Sequence, residues 1–420
     1  MSTVDLPPGS VRPKYGSYCI SGIPSTVMHL LGVRPPGTRL PSDALGDVEL
    51  SGIDKVVLLV ADGFGMNEWR RQRREGLVKS VSARGSVRPI TTVFPSTTSA
   101  ALTTLATGLT PQEHALPEWF VYLKEVNSVV VTLPYGFIQD PRRETLKGHL
   151  NPRSLFSGTP VFKELKGEGV ATYSFTARWL VDTTYTKLVH GASRLVPYSG
   201  SSDMVASLRR SVESASGPSF FYVYWSRVDT VEHEFGPNTD ESELEASSIS
   251  FALQKGFVEK LDRRAARSTL LIITADHGQI NVDIDRTLYL NRFRSLVKSF
   301  RKNGLGRPIT PAGNARDVFL YVEQEKEEHM LTLLRRRLRG TATVLRTEDA
   351  IRAGLFGLNE PSRKFRDRVG NILVLPHGTR TIWFKGERGY DIDLRGHHGG
   401  LTTDEMTVPL AVGRLSDLQR

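Results

Sequence analysis

Several short stretches of the chain are continuously apolar instead of alternating between apolar and polar positions. The clearest are KVVLLVA at residues 55–61, SFFYVYW at 219–225 and STLLIITA at 268–275. Runs of this kind, rich in Val, Ile and Phe, are typical of strands that other elements cover on both faces. We therefore predict that these three stretches are central strands of one buried sheet.

Segments of helical character lie between these strands. The longest covers residues 241–266, and a shorter helix is predicted in SAALTTLATG at 99–108, after a strand over ITTVF at 90–94. Strands that alternate with helices favour a parallel or mostly parallel sheet. The pattern thus predicts an α/β core in which helices flank a mostly parallel central sheet.

The pattern changes beyond residue 280. Helical stretches over 286–300 and 326–340 are mixed with the strand-like runs RDVFLYV, NILVLP and TIWFKG, and GHHGGLTTDEMTVPLAVG then returns to core character. We interpret residues 281–394 as an inserted α+β cap subdomain. Residues 1–280 together with 395–420 would then form the α/β core.

The composition supports a globular protein. The chain has 420 residues, of which 39% are hydrophobic, a formal net charge of +10 and a single cysteine, Cys19. One cysteine excludes internal disulfides and a thiolate metal cluster. Because the N-terminus lacks an apolar signal region and no long apolar run occurs, we expect a cytoplasmic protein without a membrane span.

Arginines are concentrated in EWRRQRRE, FRSLVKSFRKN and LLRRRLRG. The positive charge suits an anionic, phosphorylated small-molecule substrate, and it allows a nucleic-acid partner without requiring one. Arginines on the solvated faces of surface helices would give the same pattern, and we favour this simpler interpretation. The oligomeric state is left open.

Acidic and histidine residues follow the three predicted core strands. Asp62 follows the first strand, Asp229 and His233 the second, and Asp276 and His277 the third. In open α/β sheets, ligands bind at the edge where parallel strands end. Carboxylates that meet there without partners would repel one another, and bound cations would offset this repulsion. The sequence therefore predicts a metal centre.

The candidate ligands form two sets of three. The sets are Asp62, Asp276 and His277, and Asp229, His233 and one histidine of the pair His397 and His398. Three protein ligands with an open position are typical of catalytic zinc. Carboxylate and imidazole ligands without thiolate suit zinc or manganese, and the residue types do not choose between them.

The stretch FPSTTSAALTTLATG at residues 94–108 is rich in Ser and Thr. A hydroxyl at the start of its predicted helix can cap backbone amides, and this is the default interpretation for Ser96, Thr97 and Ser99. A helix N-terminus also favours anions such as a phosphoryl group, so that a hydroxyl there can act as a nucleophile. A threonine would need metal coordination to be ionised at pH 7.

Five segments resemble, in the same order, motifs of the alkaline phosphatase superfamily, most closely its type I phosphodiesterase/nucleotide pyrophosphatase family. They are VVLLVADGFG, FPSTTSAALTTLATGLTPQEHAL, DTVEH, LIITADHGQ and GHHGGLTTDEMTVPL. The resemblance implies the superfamily's core fold. It places the nucleophile at Thr98, nine residues before Thr107 of the Thr-Gly pair, with Thr97 as the alternative.

The same resemblance implies a complete catalytic centre. The metal ligands would be Asp62, Asp276, His277 and Thr98 for one ion, and Asp229, His233 and His398 for the other, which leaves His397 outside the ligand set. Two divalent ions, most typically zinc with manganese as the alternative, would support hydrolysis of a phosphodiester or pyrophosphate bond in a nucleotide-type substrate. The reaction would pass through a phosphothreonine intermediate.

Contacts to the rest of the substrate are less defined. Relatives carry an asparagine after the Thr-Gly pair that contacts a phosphate oxygen, whereas this chain has Glu118 and Trp119 there. Trp119 or its neighbour Phe120 could stack on a base, and packing in the core is the simpler alternative. Arg316 is our candidate for a phosphate clamp.

Other functions share much of this machinery. A phosphomonoesterase or phosphonate hydrolase would use the same metals and nucleophile and differ only in its pocket. A metal-dependent phosphomutase has the same core, and a nucleic-acid-binding protein without turnover would use the basic stretches. A sulfatase is disfavoured, because it needs a cysteine or serine where this chain has Thr98.

Overall fold

Strands and helices alternate along most of the computed structural model, which describes residues 4–35, 37–140, 142–385 and 393–419. In chain order the strands are β1 (Lys55–Ala61), β2 (Ser86–Thr91), β3 (Phe120–Leu123), β4 (Ser128–Val131), β5 (Gly136–Phe137), β6 (Ala171–Ala177), β7 (Arg194–Tyr198), β8 (Ser219–Trp225), β9 (Thr269–Thr274), β10 (Ile280–Asn281), β11 (Leu288–Tyr289), β12 (Ala312–Asn314), β13 (Asp317–Leu320), β14 (Ala342–Arg346), β15 (Ile372–Pro376), β16 (Ile382–Trp383), β17 (Gly396–His397) and β18 (Thr407–Arg414).

The α-helices vary from single turns to fourteen residues. They are α1 (Ile23–Leu30), α2 (Met66–Gln72), α3 (Gly76–Arg84), α4 (Thr98–Thr107), α5 (Pro111–His114), α6 (Val161–Gly167), α7 (Thr184–His190), α8 (Ser201–Ser214), α9 (Arg227–Phe235), α10 (Asp240–Leu253), α11 (Arg263–Ser268), α12 (Arg294–Val297), α13 (Glu327–Arg337), α14 (Thr347–Arg352), α15 (Arg363–Arg368), α16 (Thr403–Met406) and α17 (Leu415–Leu418). Within the described ranges, none of these helices has the length and apolar character that crossing a membrane would require.

A seven-stranded sheet lies at the centre of the fold, in the order β2-β18-β9-β1-β8-β6-β7. The pairs that join β9, β1, β8, β6 and β7 are parallel, whereas β18 runs antiparallel to β2 and β9. Every residue of β1, β8 and β9 is buried, which agrees with their continuous apolar runs. The predicted α/β fold with a mostly parallel central sheet is confirmed.

The register of the central strands positions the candidate site. Ala61 at the end of β1 pairs with Trp225 at the end of β8, and Val60 pairs with Thr274 at the end of β9. Because these parallel strands end at the same level, the residues that follow them meet at one edge of the sheet. The candidate ligands therefore leave three neighbouring strands side by side.

A second seven-stranded sheet has the order β14-β15-β13-β12-β3-β4-β5. The segment 281–394, expected to form a separate insert, supplies β12 to β15, whereas β3, β4 and β5 precede it in the chain. The expected boundary at residue 281 therefore does not enclose the second sheet. The pairing between β12 and β3 could not be predicted from local sequence patterns, because it joins Gly313 to Phe120, which lies far away in the chain.

Two predicted helices differ from the observed elements. In the stretch 286–300, α-helix is limited to α12, and a 3-10 turn covers Leu290–Arg292, because Leu288 and Tyr289 form β11 and pair in parallel with β16. The predicted helix over 241–266 is divided into α10, a π-helical turn at Gln254–Val258 and α11. In the first stretch, pairing with the distant strand β16 competes with the local helical preference. In the second, the side chain of Asp262 caps the start of α11 by accepting from the amides of Arg264 and Ala265.

Candidate metal centre and active site

The helix that follows the Ser- and Thr-rich segment is entirely buried. It begins at Thr98 after the extended residue Thr97 and ends at Thr107, where Gly108 terminates it with a left-handed φ of 73° that suits glycine. Thr98 Oγ1 lies 3.1 Å from His277 Nε2. The first hydroxyl of this helix thus points at a predicted metal ligand.

The neighbouring hydroxyls have different surroundings. Ser96 Oγ donates to the carbonyl oxygen of Gly400 at 2.7 Å, and Ser99 Oγ lies 3.0 Å from Thr132 Oγ1. Thr97, which precedes the helix, makes no capping hydrogen bond with its side chain. The expected capping by these hydroxyls is therefore not observed, and Ser96 and Ser99 instead hold the segment against other loops.

The first predicted ligand set converges in the buried interior. Asp276 Oδ1 accepts hydrogen bonds from the backbone amides of Gly63 and His277 at 3.2 and 2.9 Å, and the Tyr224 hydroxyl donates to Asp62 Oδ2. The other oxygens, Asp62 Oδ1 and Asp276 Oδ2, are buried and have no hydrogen-bond partner among the residues that the structure describes. They lie 3.5 and 3.4 Å from His277 Nε2. Three potential ligand atoms thus face one another.

The second set lies beside the first. Asp229 Oδ1 is 3.3 Å from His233 Nε2 and 3.8 Å from His398 Nε2, and it accepts a hydrogen bond of 2.9 Å from Gln279 Nε2. Asp229, His398 and His277 also offer ligand atoms that all lie within 4.8 Å of one another. The two sets are therefore adjacent, and His277 stands between them.

Backbone carbonyl groups orient the three histidines in the same way. The Nδ1 atoms lie 2.7, 3.1 and 3.0 Å from carbonyl oxygens, in the pairs His233 with Gly396, His277 with Gly278 and His398 with Ser96. A carbonyl oxygen only accepts, so each Nδ1 carries the proton and each Nε2 keeps its lone pair. This is the arrangement in which an outer partner fixes a histidine for metal binding.

The electrostatics of the site also suit bound cations. Burial lowers the pKa of His277 to about 3 and of His233 to about 4, so that both rings are neutral, as metal ligands must be. Burial also raises the pKa of Asp62 and of Asp229 well above the usual range, and repulsion from neighbouring carboxylates adds to it. A divalent cation would offset both costs. The residues present therefore fit divalent metal ions.

Two cavities open onto this centre. The smaller, of about 200 Å³, is lined by Asp62, Thr98, Trp119, Arg143, Trp179, Tyr185 and Asp229, among others. The larger, of about 520 Å³, is lined among others by Thr97, Thr98, Trp119, Asp229, His233, Asn314, Trp383, His397 and His398. Thr98, Trp119 and Asp229 contribute to both cavities. The site can therefore receive groups from two directions.

The structure argues against the expected role of Arg316. This side chain is buried, its Nε and Nη2 atoms donate to the Glu405 carboxylate at 2.9 and 3.1 Å, and it also donates to the carbonyl oxygens of Gly378 and Arg380. It lines neither cavity of the metal centre. Arg316 therefore forms a buried ion pair that links the second sheet to α16, which precedes β18, and we correct its assignment as a phosphate clamp.

Several polar residues of the site escaped the sequence analysis. Tyr224 and Gln279 hold the carboxylates of Asp62 and Asp229, and Asn314 enters the larger cavity from the second sheet. The position of Gln279 directly after the Asp-His-Gly motif was a usable signal. No local pattern could have indicated Asn314, because β12 reaches the site only through long-range sheet pairing.

Comparisons with known proteins identify related sequences. A family model described as type I phosphodiesterase / nucleotide pyrophosphatase matches residues 56–401. Venom phosphodiesterase CdcPDE of Crotalus durissus collilineatus is 24% identical over 233 residues, and the match covers 54% of this chain and 26% of that protein. Venom phosphodiesterase of Macrovipera lebetinus is 24% identical over 239 residues, with coverage of 54% and 26%. The chain thus matches about a quarter of the length of these relatives.

Solved structures share the fold. An inactive variant of murine ectonucleotide pyrophosphatase / phosphodiesterase 5, in complex with AMP, has a TM-score of 0.64 and 19% identity, with 87% of this chain and 93% of that chain covered. Phosphonoacetate hydrolase from Sinorhizobium meliloti 1021, in complex with phosphonoformate, has a TM-score of 0.60 and 16% identity, with 86% and 93% covered. These likenesses agree with the fold described above.

Proposed function

Because the chain belongs to the type I phosphodiesterase / nucleotide pyrophosphatase family, we propose that it hydrolyses a phosphodiester or pyrophosphate bond in an anionic, nucleotide-type small molecule. One observation carries this proposal. The Thr98 hydroxyl at the start of a buried helix lies 3.1 Å from His277 Nε2, beside buried carboxylate oxygens that lack hydrogen-bond partners within the described ranges. This contact between the proposed nucleophile and a proposed metal ligand supports a metal-assisted covalent mechanism.

The proposed cofactors are two divalent cations. Asp62, Asp276, His277 and Thr98 would hold one ion, and Asp229, His233 and His398 would hold the other. Zinc is our first choice and manganese the alternative, since the ligands are carboxylate and imidazole groups. When bound, the ions would lower the pKa of the threonine hydroxyl and offset negative charge on the phosphoryl group.

The proposed reaction consists of two successive displacements at phosphorus. In the first, Thr98 Oγ1 loses its proton to water and attacks phosphorus, a bond to phosphorus forms, and the leaving group departs with its bonding electrons. In the second, water displaces Thr98 from phosphorus and restores the hydroxyl. The N-terminus of α4, a helix of ten residues, favours the anionic phosphoryl group next to Thr98. The phosphothreonine intermediate is part of this proposal.

Thr98 lines both cavities, which favours a substrate whose phosphorus carries two esterified groups, one for each cavity. A diester carries two such groups, whereas a monoester would leave one cavity without an occupant. Trp119 lines both cavities and is our candidate for stacking on a base. A nucleotide ligand is also consistent with the related murine structure, which was solved with AMP. A cytoplasmic location stays a prediction from the sequence.

A phosphonate hydrolase or a phosphomonoesterase is the alternative that shares this centre. Its motivation is the likeness in fold to phosphonoacetate hydrolase. The proposed nucleophile and cation ligands would be the same, and the shape of the cavities would decide between the substrates. The choice is therefore a question of relative rates, which an assay resolves.

The test uses the full chain after metal removal and reloading with zinc or manganese. We expect faster hydrolysis of bis-p-nitrophenyl phosphate than of p-nitrophenyl phosphate or phosphonoacetate. Thr98→Ala should abolish this activity, whereas Thr97→Ala, which removes the neighbouring hydroxyl, should retain a large part of it. A clear preference for the monoester or the phosphonate would reject the diesterase assignment. Full activity of the Thr98→Ala protein would reject the nucleophile.

A further inference from the structure

The larger cavity offers unusual surroundings for an anion. Among its described lining residues there is no lysine or arginine, although two aspartates and three histidines are present. Neutral donors that face the nucleophile are therefore important, since the phosphoryl oxygens must be met by hydrogen bonds as well as by cations. Asn314 is a side-chain amide in this lining, together with Thr97 and Thr98.

The amide of Asn314 is held in one orientation. Its Oδ1 accepts a hydrogen bond from the backbone amide of Arg316 at 2.6 Å, and its Nδ2 donates to Glu118 Oε1 at 2.6 Å. These two contacts define which end of the amide is nitrogen. A primary amide has two hydrogens, so that one N–H remains for another acceptor. Because Asn314 lines the cavity of Thr98, a phosphoryl oxygen bound there is a suitable acceptor.

A close backbone approach makes room for this amide. Gly399 follows the ligand His398 and has a φ of 121°. A Cβ at position 399 would lie 2.3 Å from Asn314 Nδ2 and 2.8 Å from Asn314 Oδ1. The backbone of Gly399 also bonds to Ser96, whose hydroxyl accepts from the Gly399 amide at 3.1 Å. The Asn314 amide thus packs on the loop that connects a metal ligand with the nucleophile segment.

Glu118 is itself fixed from two sides. The backbone amide of Trp119 donates to its Oε2, and the carboxyl group of Asp317 on β13 lies within hydrogen-bond distance. Glu118 and Asp317 are both completely buried. Burial raises the pKa of Glu118 to about 7 and that of Asp317 well above its usual range, which allows the pair to share one proton. Glu118 therefore has little freedom to release Asn314.

We propose that Asn314 is a substrate-binding residue that donates its second amide hydrogen to a non-bridging phosphoryl oxygen, and that Glu118 is the positioning residue that aims it. The proposal rests on the proposed function for the identity of the substrate. It also gives the second sheet a role in catalysis. Asn314 at the end of β12 would bring a hydrogen-bond donor into a site whose proposed cation ligands all lie outside the second sheet.

The first experiment compares Asn314→Asp with a matched control. Aspartate keeps the shape of the side chain but replaces the donor by an acceptor. The control is Asn303→Asp, which removes an amide that donates to the Asn127 carbonyl oxygen at 2.8 Å and lines a different cavity. Calorimetry would measure binding of orthovanadate and of inorganic phosphate to the metal-loaded proteins, together with metal content and thermal midpoint.

Asn314→Asp should weaken vanadate binding and lower kcat/KM for bis-p-nitrophenyl phosphate by about 100-fold, the cost of losing one preorganised donor. Metal content should not change, and Asn303→Asp should stay within about twofold of wild type in both measurements. If Asn314→Asp does not fold, Asn314→Ala is the substitute, with an expected loss of similar size, about 100-fold, since it removes the same donor. Either folded variant that binds vanadate as tightly as wild type overturns the proposal. Binding also separates this outcome from failure of the proposed function, which would show as no diester turnover by wild type.

A second experiment tests the positioning role. Glu118→Gln should lower kcat more than it raises KM, because the ground-state cavity stays while the donor loses its alignment. In the double variant with Asn314→Asp, the loss should be no greater than for Asn314→Asp alone, since both changes remove one interaction. Additive losses would show that Glu118 acts independently of Asn314 and would overturn its assignment as the residue that aims this amide.

Discussion

The imidazole rings of His277 and His398 stack with their centroids 3.6 Å apart and their planes 14° from parallel. The two rings belong to different predicted ligand sets, and each is tied by its Nδ1 to a backbone carbonyl oxygen. Ligand atoms of the two rings and of Asp229 all lie within 4.8 Å of one another. The stack therefore places the two ligand sets in direct contact through these rings.

Metal removal should destabilise the folded protein. Asp62 is buried and Asp229 is partly buried, and repulsion from Asp62 raises the pKa of Asp229 in addition to desolvation. A chelator should lower the thermal midpoint, and added zinc should restore it in proportion to the logarithm of the free zinc concentration. Differential scanning calorimetry would measure this shift. Asp62→Asn should reduce the response to zinc, whereas Asp43→Asn on the exposed surface should leave it unchanged.

The adjacent histidines His397 and His398 should respond differently to substitution. His398 Nε2 faces Asp229, whereas the Nε2 of His397 is buried and finds no hydrogen-bond partner in the described part of the chain. His398→Gln should lose one of two bound ions and reduce activity at least 100-fold, because an incomplete ligand set binds metal weakly. His397→Gln should keep two ions. Elemental analysis of the purified proteins would decide, and two ions in His398→Gln would contradict the ligand assignment.

The buried ion pair between Arg316 and Glu405 should matter for stability. Arg316→Met leaves the Glu405 carboxylate buried without its partner, a change that typically costs about 3–5 kcal/mol in the free energy of unfolding. The double variant with Glu405→Met should recover part of that loss, because it removes the isolated charge as well. Urea unfolding would measure both values. A stable Arg316→Met protein with weakened substrate binding would restore the phosphate-clamp hypothesis.

A methyl group at position 399 should disturb the active site. Gly399→Ala would place its Cβ 2.3 Å from Asn314 Nδ2, so that the amide must move. We expect at least tenfold lower kcat/KM. Gly306→Ala is the matched control, since Gly306 also has a positive φ, of 74°, but a Cβ added there would have no neighbouring atom within 4 Å. The control should cost only the backbone strain, about 1 kcal/mol, and retain activity.

Acidification should destabilise the protein through its buried histidines. Burial lowers the pKa of His114 to about 3, and its ring lies 3.2 Å from Thr104 Oγ1 and accepts from the Leu116 amide. Between pH 6.5 and 3 the unfolded chain binds a proton at this histidine and the folded protein does not. Stability therefore falls as the pH decreases, by about 1.4 kcal/mol per pH unit for this group.

His114→Gln tests this linkage directly. The variant should lose less stability than wild type when the pH is lowered from 6.5 to 4. The difference between the two proteins in the free energy of unfolding should change by about 1.4 kcal/mol per pH unit. Chemical unfolding with chelator present at every pH would exclude metal release as the cause. Parallel pH profiles for the two proteins would show that His114 is not responsible.

The edge of the sheet that carries the site could be predicted because its signals are local. The continuous apolar runs identify β1, β8 and β9, and parallel strands of similar length bring the residues that follow them together. Asp62, Asp229 and Asp276 were located in this way. The helical prediction over 286–300 was less successful, because pairing of Leu288 with Ile382 depends on a strand far away in the chain.

The sequence by itself determined the central sheet, the acids and histidines at its edge and the hydroxyl-rich segment beside them, since each follows from periodicity and chain order. Only the tertiary structure decided that Arg316 forms an ion pair with Glu405 and that β3 to β5 join the second sheet. It also decided that Asn314 lines the larger cavity and packs against Gly399. The physical reason is that burial, charge pairing and strand neighbours depend on contacts between distant segments. Local patterns contain no information about which of those segments meet.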